Sequence, residues 1–206
     1  MDTAVALVDT YLRVNGYFTV TEYPVIEAVH YGGYRTVTDL DILAFRFPGA
    51  GRLVPGEKGG ASTVRVLPPD PELGSITEQA EMLIGEVKEG RAELNRAASD
   101  PVVLQTVLTR FGCCHTKEVP DVVKNLLHKG QAQTHSGHRV RLAAFGSVLN
   151  ETGNPKYTVI SLGHVANFLR DYIHQYWDIL HNADSKDPAF AFLMMLEKAR
   201  LGSRTG

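Results

Sequence analysis

The chain has little cysteine: two residues in 206, adjacent at Cys113 and Cys114. That excludes the paired framework of a small oxidised, secreted domain and points to a reducing compartment. It also lacks a long apolar run. The longest, Ala189 to Leu196, is far too short to cross a bilayer. Nor does either charge dominate, since 21 Lys and Arg stand against 23 Asp and Glu. A histone-like polycation and an acidic solvating tail are both excluded, so any polyanion site must be a local patch. Met1 to Val5 shows no basic leader, and there is no internal repeat, heptad array or low-complexity tract. The expectation is one membrane-free, cytoplasmic domain. With 44% hydrophobic residues, the chain has ample material for a core.

What is present is a sequence of contrasting periodicities. Ala4, Leu7, Val8, Tyr11 and Leu12 recur at helical spacing and stop at Asn15-Gly16, which predicts a first amphipathic helix. Tyr17 to Val29 and Thr36 to Phe47 are rich in β-branched and aromatic residues. The break at His30-Tyr31-Gly32-Gly33 makes them neighbouring strands joined by a turn. Residues 48–80 are rich in glycine and proline around a short strand-like piece, Ser62 to Leu67, and read as a long inserted loop. Glu81 to Val87 is a third strand. Asp100-Pro101 then starts a helix closed by Gly112, and Val119 to Lys129 repeats the pattern up to Gly130. Arg139 to Leu149 and Tyr157 to Leu162 are further strands. Beyond them Val165, Phe168, Leu169, Tyr172, Ile173, Tyr176 and Leu180 line a helical face, and Asp187-Pro188 opens a last helix to about Arg200. Strands framed by helices without strict alternation predict an α/β fold with a mixed central sheet flanked by helices. Its core spans residues 1–149, and residues 150–206 form a mainly helical extension.

The chemistry-bearing pair is Leu40-Asp41-Ile42-Leu43-Ala44 on the second strand and Ile84-Gly85-Glu86-Val87-Lys88 at the end of the third. An acid-x-Lys triplet alone says little: about one is expected by chance in this composition, and the chain has two, the other being Asp184-Ser185-Lys186. Position lifts the first above that background. Residues two apart on a strand share a face, so Glu86 and Lys88 emerge together while Val87 turns into the core. An acid on the adjacent strand can then gather two carboxylates and one ammonium at a point. Magnesium is held by one or two carboxylates plus water and phosphate oxygens, and a lysine supplies a point charge for a developing anion. Asp39 lies on the same strand as Asp41 and is the alternative first acid.

These residues resemble the PD-(D/E)xK, restriction-endonuclease-like nuclease superfamily. Its core order of helix, three strands, helix and strand fits residues Asp2 to Phe145, about two thirds of the chain. The resemblance implies a metal-dependent nuclease acting on DNA or RNA, or a catalytically inactive module of that fold that binds nucleic acid or a protein partner. It implies Asp41, Glu86 and Lys88 as catalytic residues, and Asp41, Glu86 and the Val87 carbonyl as ligands of Mg²⁺ or Mn²⁺. Glu22 is implied as a further acid. Leu40 stands where the family's proline usually precedes the first acid, and the insert between the second and third strands is long. A homodimer is compatible with this reading.

Arg91 and Asn95, just beyond the lysine, are candidates for substrate contact, as are Arg139 and Arg141. The latter two close a segment from Arg110 that carries six bases against two acids and half of the eight histidines. Charge runs are more often solvated faces. Cys113-Cys114-His115 with His135-x-x-His138 is weak as a zinc pattern, because adjacent cysteines rarely reach one metal, and neither thiol shows signs of activation. The glycines at 49, 51, 56, 59 and 60 lack phosphate-loop spacing. Tyr172, Tyr176 and Trp177 read as core rather than as a stacking platform.

Overall fold

In the computed structural model, residues 2–30, 32–54, 57–58, 61–62, 65–149 and 156–202 are described, those from 52 to 66 by their backbone alone. The chain opens with α1 (Thr3–Val14), capped where the Asp2 carboxylate accepts the Ala4 N–H at 2.7 Å. Two long strands follow, β1 (Phe18–Ala28) and β2 (Tyr34–Arg46). The insert contains four short strands, β3 (Arg52–Val54), β4 (Glu57–Lys58), β5 (Ala61–Ser62) and β6 (Arg65–Val66), paired β3 with β6 and β4 with β5. Of the glycines in the Gly56–Gly60 stretch, all three lie outside the described residues. Then come a 3-10 turn (Pro71–Leu73), β7 (Glu81–Arg91), α2 (Pro101–Phe111) and α3 (Val119–Lys129). The remainder is β8 (Gln131–Gln133), β9 (Arg139–Val148), β10 (Thr158–Ser161), α4 (Leu162–Gln175), α5 (Trp177–Leu180) and α6 (Pro188–Gly202).

The main sheet has six strands in the order β1-β2-β7-β9-β10, with β8 alongside the start of β9. Pairing is antiparallel for β1–β2, β2–β7 and β8–β9, and parallel for β7–β9 and β9–β10. The α/β class with a mixed, helix-flanked sheet therefore holds. Helices cover both faces because β7 and β9 are apolar on both. Met82, Ile84, Val140 and Leu142 pack with α2 and α3, whereas Leu83, Val87, Ala143 and Phe145 pack with α1 and α4. No described helix is long and apolar enough to cross a membrane.

Local chemistry sets the boundaries. Asp100 caps α2 through the Val102 and Val103 N–H groups at 2.7 and 3.2 Å, a contribution of about 1 kcal/mol. Gly112 ends it at φ 64°, where a side chain would be strained. The insert expected as one long loop is tied down at its far end. The Asp70 carboxylate takes the Tyr11 hydroxyl and the His164 Nε2, both at 2.6 Å, joining that loop to α1 and α4. Tyr172 is buried in a third apolar cluster, with Tyr176 and Trp177 packed against it, as a core role requires.

β9 departs from simple alternation. Arg141, expected at the surface, is buried because its guanidinium forms two bonds to Glu81, at 2.7 and 3.0 Å, and one to the Thr158 hydroxyl at 2.9 Å. The Tyr17 hydroxyl also bonds Glu81, so the buried carboxylate is surrounded by donors. A paired buried charge of this kind is costly to break from one side.

Candidate functional site

The site arises where β2 and β7 part. Their ladder runs from Arg46 opposite Glu81 to Ile42 opposite Gly85 and ends there. Extended by two residues it would set Leu40 opposite Val87. Instead the Asp41 side chain fills the gap, its Oδ2 accepting the Val87 N–H at 2.7 Å. The strand alternation of β2 also breaks here: Leu40 and Leu43 lie in one apolar cluster while Ile42 lies in the other. Asp39 and Asp41 thus do not share the simple face that strict alternation would give them. Asp39 is exposed opposite Pro24, and the charge coupling and hydrogen bonds of β7 run to Asp41.

Glu86 and Lys88 lie on the α2 side of β7, and Val87 faces the opposite core, as the period of two demands. Glu86 is 5% exposed. Its Oε1 accepts the Asn95 side-chain amide at 2.6 Å, while its Oε2 is buried and meets no hydrogen-bond partner. Such an oxygen is expensive to bury and marks a place for a ligand. Lys88 sits at the rim, with Nζ 3.7 Å from the Glu93 carboxylate.

Further acids close the cluster. Glu22 lies on β1 between Thr21 and Tyr23, whose partners Ile42 and Leu40 flank Asp41. It accepts the Asp2 N–H at 3.3 Å. Its φ of 51° is the one positive value among the described non-glycine residues, a strain of about 1–3 kcal/mol located beside the acid pair. Asp2 was not legible as a site residue: the structure shows it both capping α1 and acting on Asp41.

The electrostatics follow from burial and like charge. Asp41 holds its proton above the ordinary carboxylate range, chiefly through burial; Asp2 and Glu22 push the same way, and the Val87 N–H and Lys88 oppose them. Glu86 is pushed up to about 7, first by burial and then by Asp41, with Lys88 and Asn95 opposing. A cation placed between the carboxylates reverses this balance and favours both charged forms.

The other expected contacts are distributed differently. Asn95 is turned inward: it holds Glu86 and, through Oδ1, accepts the Ala98 N–H at 2.6 Å, so it positions a site residue and caps a turn. Arg91 is exposed at the end of β7, paired with Val148. Arg139 and Arg141 are not brought to the site. In the parallel register Arg139 is level with Glu81 and Ala144 with Glu86, a separation of about 16 Å along the strand. Both guanidiniums are committed to Glu81, Arg139 also to the Gly74 carbonyl at 2.7 Å. The cysteines likewise form no metal centre with the histidines among the described residues. Burial pushes the Cys113 thiol up to about 12, which keeps it protonated.

Among the described residues, no three side chains of His, Cys, Asp or Glu stand close enough to hold an ion unaided. The donor set at the β2–β7 fork is two carboxylates, Asp41 and Glu86, with the carbonyl of Val87, the residue that follows Glu86 in the chain. Magnesium sites commonly use one or two carboxylates and leave the remaining positions to water and substrate, so the residues fit, and the partnerless Glu86 Oε2 is the oxygen that asks for a ligand. No protein-family model matches this chain, and no curated protein or solved structure does.

Proposed function

We propose that this chain is a divalent-metal-dependent, nuclease-like hydrolase of phosphodiester bonds in DNA or RNA. The observation that supports it best is the buried, partnerless Glu86 Oε2 at a fork that also gathers Asp41 and Lys88. The order of elements and the placement of these residues agree with the resemblance to the PD-(D/E)xK superfamily. Asp41 and Glu86, with the Val87 carbonyl, would hold Mg²⁺ or Mn²⁺. When bound, such an ion supplies Lewis-acid polarisation of a phosphoryl oxygen.

The chain's own groups do the rest. Asp41 is fixed by the Val87 N–H, and Glu86 by Asn95, so neither carboxylate must reorganise to meet a ligand. Lys88, flexible and part-exposed at the rim, places a positive charge where the phosphoryl oxygens gain negative charge. Asp2 and Glu22 act on Asp41 as like charges, and Asp41 acts so on Glu86, with Lys88 opposing both, so a cation among these carboxylates lowers the repulsion that an incoming phosphate meets. Nucleic-acid binding at the site is therefore expected to depend on the metal.

The second reading is an inactive module of the same fold that binds nucleic acid or a protein partner. It draws on the commitment of Arg139 and Arg141 to Glu81, which removes two expected phosphate contacts. Calorimetric titration of Mn²⁺ into wild type, Asp41→Ala and Glu86→Ala separates the two. Binding in wild type that both substitutions abolish, with Mg²⁺-dependent cleavage of DNA or RNA lost in a Glu86→Ala, Lys88→Ala double variant, supports the hydrolase. Cleavage unchanged in that double variant refutes the assignment.

A further inference from the structure

A second concavity lies on the α2 side of the sheet, independent of the acid site. It is a cavity of about 370 Å³ between the start of β1, the end of β2 and the C-terminal end of α2. Its size falls within the range of small-molecule sites. Met82 at its floor is four residues before Glu86, about 13 Å away along β7.

The lining is aromatic. Phe18, Phe45, Phe47 and Phe111 contribute four phenyl rings. They continue edge to face from Phe18 to Phe47 at 5.8 Å, from Phe47 to Phe45 at 4.9 Å, and from Phe45 to the His138 imidazole at 6.3 Å. Edge-to-face order of this kind suits a further planar ring. Phe18 and Phe47 are 69% and 56% exposed, an unfavourable state that an apolar occupant relieves.

His138 supplies the polar element. Its Nδ1 lies 2.9 Å from the Cys113 carbonyl oxygen, which can only accept, so Nδ1 carries the hydrogen. In the neutral ring Nε2 then bears the lone pair. Among the described residues that line the cavity there is no lysine, arginine or carboxylate, so the lining favours a neutral ligand. Cys113 is also in the lining, but as a protonated thiol it offers no covalent capture.

We propose that this cavity binds a small, neutral, planar aromatic molecule carrying one hydrogen-bond donor, of the phenol or indole type, with its ring among the phenylalanines and its donor on His138 Nε2. The proposal does not depend on the hydrolase reading.

The test uses the full chain with indole and its near-isostere indene, which lacks the N–H, followed by two-dimensional NMR. Indole is expected to saturate one site, shifting the amides of Phe45, Cys113 and His138. Indene is expected to bind roughly threefold to tenfold more weakly, the worth of one neutral hydrogen bond. His138→Phe should bring the two ligands to equal affinity. Val20→Trp, at a rim position that is 42% exposed, should fill the mouth and weaken both. Absence of saturable indole binding, shifts centred away from these residues, or equal affinities in wild type would overturn the proposal. Because the last comparison needs no variant, a substitution that fails to fold does not protect it.

Discussion

Glu86→Gln is the most direct probe of the fork, because it removes a charge without removing volume. In the folded chain Glu86 holds its proton up to about 7, against an ordinary value of 4.5. A carboxyl that binds its proton more tightly when folded contributes stability below 4.5 and loses it as pH rises through 7. The separation corresponds to about 3 kcal/mol across that window. Asn95 can still donate to the glutamine oxygen, so the Gln variant keeps the local geometry. Urea unfolding in EDTA at steps from pH 4.5 to 9 should therefore show wild type losing about 3 kcal/mol relative to the variant as pH rises. For a chain of this size the difference amounts to about 6–12 °C in melting temperature. Parallel pH profiles for the two proteins would refute the argument, since they would mean that Glu86 ionises as freely folded as unfolded.

Three further outcomes follow from the packing. Asn95→Ala, which frees Glu86 and uncaps Ala98, should weaken Mn²⁺ binding about 10-fold or more by calorimetry while the chain stays folded. Gly146 is level with Lys88, and a Cβ there would meet Ala92 N at 2.5 Å and Arg91 C at 2.9 Å, all backbone. Gly146→Ala should cost about 1–3 kcal/mol in urea unfolding and also impair Mn²⁺ binding, because the segment after Lys88 must move. Arg141→Met leaves Glu81 buried with a partner lost, and should cost about 3–5 kcal/mol with Mn²⁺ affinity unchanged, since that pair lies at the other end of the sheet.

Much of this molecule was determined by its sequence alone. Helical spacing before Asn15-Gly16, the Asp100-Pro101 start and the Gly112 and Gly130 stops are local signals, and the helices follow them because capping and backbone conformation are decided within a few residues. The same-face relation of Glu86 and Lys88 needed only the two-residue period of a strand. Tertiary structure decided what long-range partners impose. Arg139 and Arg141 read as exposed bases until Glu81, some sixty residues earlier in the chain, takes both. Asp41 separates from Asp39 because β2 and β7 diverge after Ile42 and Gly85 and one carboxylate captures the Val87 N–H. Asn95, a candidate substrate contact by sequence, becomes the support of Glu86, and Asp2, which no sequence signal singled out, caps α1 and joins the acids acting on Asp41. The physical reason is the same in each case: a charge's role depends on which charges and dipoles the fold sets within a few ångströms of it, and sequence distance does not record that.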